Sequence, residues 1–568
     1  MSRFVAVLGP EAHTGAFRAM KEAARLKSWT ITDAAPSFWI ASDGAAVRRR
    51  SLAIGDVVLI GETVSGSATS NGHVNTVDDA CLELTRTLWG RYVAVFLTPE
   101  GRLAGVFRDP SGAMDCAVSR SRSAWLIASD TPDWVVDNHE PSGLSWGGVA
   151  AVLQDPILLS TADLLQGWKT VVPGALQLPD GRNRTVWSPV QAAQRPKSMR
   201  ADELRETVDA VVAGLARPRS SLLVEVSGGL DSAIMAASLQ ASAFDGKVLW
   251  LNTHGPYPES DERAYATAVA DALGVQLTII SRSASDLPKG LTLEHPRAFR
   301  PSLNRMDAAY DALQADLCEA HGVGGVLTGK GGDVAFLQTA SSSILADELR
   351  DLGWGALFGR TAPVLARRMR RSAWRNIRAA IASARRPRDY SPSTNALLHP
   401  DIRDAETPSH PWLVDMDGVG PGKRQQIVGF ASNLGLHSLS RRNERADLLH
   451  PALSQPVMEA VLATPSYALT RGGHDRLLAR EAFADRLPQV LVHRRSKAEL
   501  GGYYGRVVAA NIDRLRPHLL EGHLARQGLI DRDQVEAALQ IEHLIWQGGY
   551  LELMMLSLME SWVKAWLR

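Results

Sequence analysis

The chain has 568 residues, too long for one typical core, so two or more domains are expected. Its apolar content of 45% and charged content of 22% are those of a soluble globular protein, and a net charge of +1 gives no whole-molecule pull toward nucleic acid or membrane. Three widely spaced cysteines, Cys81, Cys116 and Cys318, form no CxxC pair; they argue against a disulfide scaffold or zinc site and suit a reducing cytoplasm.

In chain order, Met1 to Gly9 is a short apolar run followed by polar residues, which is not a secretory signal. The first 190 or so residues carry short apolar runs, "FVAVLG", "DVVLIGE", "RYVAVFL", "RLAGVF" and "AWLIASD", separated by Gly, Asp and Ser. They predict a β-rich layered domain over residues 1–190. "VQAAQRPKSMR" then reads as a linker. From residue 201 to 568 the pattern changes. A helix is predicted over Ala201–Ala216, a strand over Leu222–Val226, a helix over Asp231–Ser242 and a strand over Lys247–Asn252. A helix over Glu262–Leu273 and a strand over Gln276–Ile280 follow. Strands alternating with helices signify a parallel sheet with crossover connections. Beyond Asp333 the apolar spacing is helical to the end. The closing run "YLELMMLSLMESWVKAWLR" is broken at helical spacing by Glu552, Glu560 and Lys564, so it predicts a core-packed amphipathic helix rather than a membrane span.

The stretch "VEVSGGLDSA" joins a buried strand to a helix through a glycine turn, which makes an anion cradle of backbone N–H groups and a helix N-terminus. Gly324–Lys330, "GGVLTGK", fits GxxxxGK but has Gly331 where Ser or Thr should stand and an apolar core inside the motif, so it is not a Walker A loop. It reads instead as a strand, Gly325–Leu327, ending in the loop "TGKGGDVAF". Two strand-end loops, each with an acid, Asp231 and Asp333, can then meet at the carboxyl edge of the sheet, where ligands of such sheets bind. An acid beside a polyphosphate is explained by a magnesium ion between them, with Asp231 and Asp333 as its ligands. The plainer alternative is that Asp231 caps its helix.

"VSGGLDSA" resembles the pyrophosphate loop of the N-type ATP pyrophosphatases, and "PESDERAYATAVADALG" and "TGKGGDVAF" resemble the synthetase domain of asparagine synthetase. "LWGRYVAVFLTPEGRLAGVFRDPSGAMDCAVS" is similar to the core of that family's class II glutaminase domain. The resemblance implies an N-terminal Ntn-hydrolase-like layered domain and a C-terminal α/β ATP-pyrophosphatase (HUP-like) domain with a helical second half. It also implies an enzyme that uses ATP and Mg2+ to activate a carboxylate as an acyl-adenylate for attack by an amine. Nucleotide contacts would fall to Val226, Ser227, Gly228, Gly229, Asp231, Ser232, Leu251, Asn252, Thr328 and Gly329.

The family's glutaminase nucleophile is an N-terminal cysteine, whereas Met1 is followed here by Ser2, and no Cys precedes Cys81. The resemblance then implies a vestigial amidase and a nitrogen supplied by the substrate's own amine, as in β-lactam-type synthetases and lasso-peptide macrolactam synthetases. "HPWL", "PGKRQQI", "LLHPALSQPVMEAVLATPS" and "RGGHDRLLAREAFADRLPQVLVHRRSK" resemble the lasso cyclases. By that resemblance Lys497 is the active-site lysine and Asp447 stands at a catalytic-region acid. The implied partners are a precursor core peptide and a leader peptidase or precursor-recognition protein, with no nucleic acid and no membrane. An ammonia-dependent asparagine synthetase is the alternative. Arginines from Arg367 to Arg386 form a basic stretch that either docks an acidic partner or is a solvated face. Tyr503 and Tyr504 are candidates for a cavity wall or for simple core. No HExxH or paired histidine spacing points to zinc.

Overall fold

A computed structural model describes residues 2–66, 74–121, 124–138, 143–258, 261–494, 501–546 and 548–568. Alternation of side chains decides the N-terminal layers. On the strand Arg3–Leu8, Phe4, Ala6 and Leu8 point one way and Val5 and Val7 the other, and both sets are buried. On Leu88–Leu97, Val93, Val95 and Leu97 alternate in the same way with Tyr92, Ala94 and Phe96. Both faces of each strand are therefore covered. Two six-stranded antiparallel sheets result. One runs in the order Trp168–Thr170, Ala117–Ser121, Ala124–Ala128, Arg3–Leu8, Phe38–Asp43, Thr30–Ala35. The other runs Asn183–Thr185, Ala175–Gln177, Leu103–Arg108, Leu88–Leu97, Gly55–Ser65, Val47–Leu52.

One core lies between the sheets, with Phe38, Ile60, Val106 and Ile127 at its centre. Helix Gly15–Leu26 buries Phe17, Met20 and Ala24 on the outer face of the first sheet, and helix Val77–Thr87 buries Ala80, Cys81 and Leu84 on that of the second. The segment read as a linker is mostly exposed but tied down at points. It holds a short helix, Pro189–Ala193, and the Lys197 N–H donates to the Ala463 carbonyl at 2.8 Å.

The second part of the chain builds a five-stranded parallel sheet in the order Leu277–Ser281, Lys247–His254, Ser221–Glu225, Gly325–Leu327, Asp447–Leu449. Its first four strands in chain order lie within two residues of the predicted bounds at each end. The fifth corrects the expectation of helix to the end: Asp447–Leu449 is a three-residue strand, too short to show a period of its own. Helix Tyr550–Leu567 buries Leu553, Leu556, Met559, Trp562 and Val563. Among the described residues no helix is long and apolar enough to cross a membrane.

Candidate active site

In chain order the parallel strands lie 3-2-1-4-5, so the order reverses between Ser221–Glu225 and Gly325–Leu327. Loops leaving two such strands in opposite directions open a crevice at the carboxyl edge of the sheet. The two loops there are 226–230 and 328–331.

The first loop is held by its own serines. Ser227 Oγ and Ser232 Oγ lie 2.9 Å apart, the Ser227 N–H donates to Ser232 Oγ at 3.2 Å, and the Gly229 N–H donates to Ser227 Oγ at 3.3 Å. Gly228 has φ +88, and a Cβ there would meet the Glu262 carbonyl oxygen at 2.7 Å, so the turn requires glycine. Helix Leu230–Ala241 then opens with Gly229 as its N-cap and no side-chain cap.

Asp231 is therefore not the cap. Its carboxylate is buried in the first turn, where Oδ2 accepts a 2.8 Å hydrogen bond from Arg476 Nη1. The second loop lies directly on the first. A Cβ on Gly329 would collide with the Ser232 backbone nitrogen, and one on Gly332 would come within 2.6 Å of Asp231 Cβ. Asp333, exposed in the first turn of Gly332–Ala335, is the residue after that contact. The two acids thus stand on touching loops.

Such contact suits one magnesium ion shared with phosphate oxygens, since magnesium is held by one or two carboxylates plus substrate and water. Among the described residues no group of three or more His, Cys, Asp or Glu forms a richer cation site.

Beside the loops, the Val226 N–H donates to the Leu251 carbonyl at 2.8 Å and Asn252 Nδ2 donates to the Val226 carbonyl at 2.7 Å. Asn252 Oδ1 is buried and has no partner among the described residues, leaving an acceptor at the strand end where a nucleoside would lie. Thr328 is buried, with Oγ1 2.7 Å from His450 Nδ1. Lys330 Nζ donates to Asn304 Oδ1 at 3.0 Å; burial, with Arg442 nearby, lowers its pKa to about 8. Lys497 lies outside the described residues.

Three contributors had no sequence signal of their own. Arg476 holds Asp231 from 245 positions away and has φ +50, a backbone strained for a non-glycine residue. Arg494 donates to the Gly228 carbonyl at 2.9 Å, pairs with Glu262, and stacks 3.8 Å from the Tyr265 ring centroid. Arg282, ion-paired to Asp307 at 2.7 Å, lies 4.5 Å from the ring of Tyr503, itself buried.

The structure corrects the placement of Asp447. It is the first residue of its strand and pairs with Gly325, so it sits at the opposite end of the strands from the loops, roughly 10 Å from them at 3.3 Å per residue. There it accepts from Arg219 Nη2 at 2.9 Å, from Arg91 Nη2 at 3.3 Å, and from the Ser2 N–H at 3.1 Å. Arg219 also binds both oxygens of Glu62 at 2.9 Å. Burial opposes its charge, but the Arg91 and Arg219 guanidiniums hold the carboxyl well below the usual range. Asp447 is an anchor between the two halves of the chain.

Ser2 is tied into that anchor, its Oγ 3.4 Å from Asp447 Oδ2, at the edge of a cavity of about 40 Å3 lined also by Arg91, Asp115, Arg300 and His437. Such a space has room for a few waters. Cys81, Cys116 and Cys318 are free and buried, and burial raises each thiol pKa, so none is a ready nucleophile. Incubation with glutamine should accordingly release no glutamate above background. Release that disappears in Ser2→Ala would restore an active amidase.

Comparison with known proteins agrees with the crevice. No curated protein matches the chain. A solved structure described as the allosteric regulatory enzyme of purine biosynthesis matches at 11% identity and a TM-score of 0.21, over 52% of this chain and 82% of that one; a likeness so slight carries no argument. The family profile for asparagine synthase matches residues 203–568, which contain both loops, both acids and the whole parallel sheet. The chain belongs to the asparagine synthase family.

Proposed function

We propose that this protein is an ATP-dependent C–N ligase that closes a macrolactam in a peptide of the lasso type. The family supports ATP-driven amide formation in general. The observation that supports the finer reading is the pairing of an intact loop crevice with three cysteines that are all buried and raised in pKa, so that no thiol is ready to release ammonia from glutamine. The nitrogen is then the substrate's own.

An Asp or Glu side-chain oxygen of the peptide attacks the α-phosphorus of ATP, and the bond to pyrophosphate breaks. The peptide's terminal amine attacks the acyl carbon, loses a proton, and AMP leaves. Backbone amides of Ser227–Gly229, with the hydroxyls of Ser227 and Ser232, hold the pyrophosphate. Val226, Leu251, Asn252, Thr328 and Gly329 line the nucleotide's remaining path. Asp231 and Asp333 would hold magnesium, which would supply charge neutralisation at the leaving pyrophosphate. Lys497 is assigned to the negative charge that develops during transfer. The acyl-adenylate hydrolyses readily, so the peptide must be enclosed with its amine close and water excluded. A leader peptidase or precursor-recognition protein in the same cytoplasmic compartment would present the trimmed peptide.

Mass spectrometry of reactions containing ATP, magnesium and a leader-free core peptide encoded beside this protein should show a product lighter by one water, with AMP and pyrophosphate in equal amount. Asparagine formed from aspartate and ammonium, with the peptide unchanged, would establish an ammonia-dependent asparagine synthetase instead. Cyclisation of a small amino acid derivative would place the enzyme with the β-lactam synthetases.

A further inference from the structure

The segment Arg360–Arg388 contains ten arginines and no Lys, Asp or Glu, in a chain whose net charge is only +1, so the remainder is net acidic. Of these arginines only Arg368 has an ion-pair partner among the described residues, Asp475 at 3.9 Å. The segment folds as two helices, Thr361–Met369 and Ala373–Arg385, preceded by the turn Gly353–Phe358. Large apolar side chains stand out from the same region: Phe358 is 92% exposed, Trp374 71%, Leu352 61% and Trp354 58%. Four such residues close together in sequence, within a strongly basic surface, are not the scattered apolar exposure of an ordinary surface.

Two features select the occupant. The charge is supplied by arginine alone, and arginine with tryptophan is the composition of protein interfaces, where the guanidinium fork pairs with carboxylates. The aromatic and charged groups are also mixed rather than segregated. Trp374, Arg375, Arg378 and Arg385 share the exposed side of one helix, and Arg385 lies over the Trp354 ring at 5.9 Å. A membrane-surface helix instead separates an apolar face from a basic one. We infer that this face docks an acidic segment of a polypeptide partner, with Phe358 and Trp374 as its apolar anchors.

The position makes such docking useful. Arg368 fixes the helix Thr361–Met369 to the Gly473 and Gln338 carbonyls at 2.7 and 2.6 Å, next to the loop that carries Asp475 and Arg476. A partner seated on the adjoining helix Ala373–Arg385 is then one helix away from the loop whose Arg476 holds Asp231. The inference does not depend on which amide the enzyme makes.

Fluorescence anisotropy of a labelled Glu- and Asp-rich peptide carrying one Phe, titrated with the whole protein at low salt, tests it. Saturable binding is expected, lost when the acids are replaced by Gln and weakened about tenfold or more by Arg375→Glu with Arg378→Glu, and likewise by Trp374→Ser. Melting temperature and ATP use of these variants should match wild type. Absence of binding, binding that the variants leave unchanged, or preference for phosphatidylglycerol vesicles or duplex DNA over the acidic peptide would overturn it.

Discussion

Asp231→Asn should lower AMP and pyrophosphate formation by at least about 100-fold, the order of effect of removing one preorganised electrostatic partner from an active site. The plainer role for an acid at this place, capping its helix, is not the one it fills, because Gly229 is the N-cap and no side chain caps the turn. The carboxylate is instead buried between the loop 226–230 and Gly332, with Arg476 on its Oδ2. That ion pair complicates one reading of the variant. An Asn there leaves Arg476 with Asp475 as its remaining carboxylate, and breaking a buried pair costs up to about 3–5 kcal/mol. Asp333→Asn separates the two effects. Asp333 is exposed on the second loop, so its loss should leave the melting temperature unchanged while removing turnover to a similar degree. If both acids act through one cation, the double variant should be little worse than either single one. Near-normal magnesium-dependent turnover in Asp333→Asn would remove the shared cation from the mechanism and leave Asp231 a structural role beside Arg476.

The parts of this molecule legible in its sequence are those set by local pattern. Short apolar runs bounded by glycine gave the parallel strands, and the two loops were visible because a strand, a glycine turn and a helix start are adjacent in the chain. That the two loops can meet also followed, since both leave strands at the carboxyl edge of one parallel sheet; the strand order that brings them together came from the structure. What escaped depends on distant partners. Arg476 has no motif of its own, and its meaning comes from a carboxylate 245 residues earlier. The position of Asp447 was hidden for a related reason. A resemblance over a few residues suggested an acid near the chemistry, but parallel register with Gly325 puts it at the far end of its strand. His450, three residues on at the other end of the strand, is the residue that reaches Thr328.

Asp447→Ala should destabilise the protein by about 3–5 kcal/mol, the cost of removing one partner from a buried charge network, and should leave the chemistry of the remaining folded molecules intact. The network joins Glu62 and Arg91 of the antiparallel sheet to Asp447 of the parallel one and to Arg219 in the turn before the strand Ser221–Glu225, two acids against two guanidiniums. Without Asp447, Arg91 and Arg219 share only Glu62, and the Ser2 N–H loses its acceptor. Loosening should therefore begin where the halves meet, with proteolysis near the first strand preceding loss of the parallel sheet. Acid gives an independent check on the sign. The folded carboxyl is held below its unfolded value of about 3.9, so its contribution is complete above that pH and fades as pH falls further. The stability gap between wild type and Asp447→Asn should thus be constant through neutral pH and narrow only below about pH 4. A catalytic acid would behave in the opposite way: unchanged melting with lost turnover, restored in part by Asp447→Glu. That result would bring Asp447 back to the reaction; lowered melting with normal turnover per folded molecule leaves it as the bond between the antiparallel layers and the parallel-sheet half of the chain.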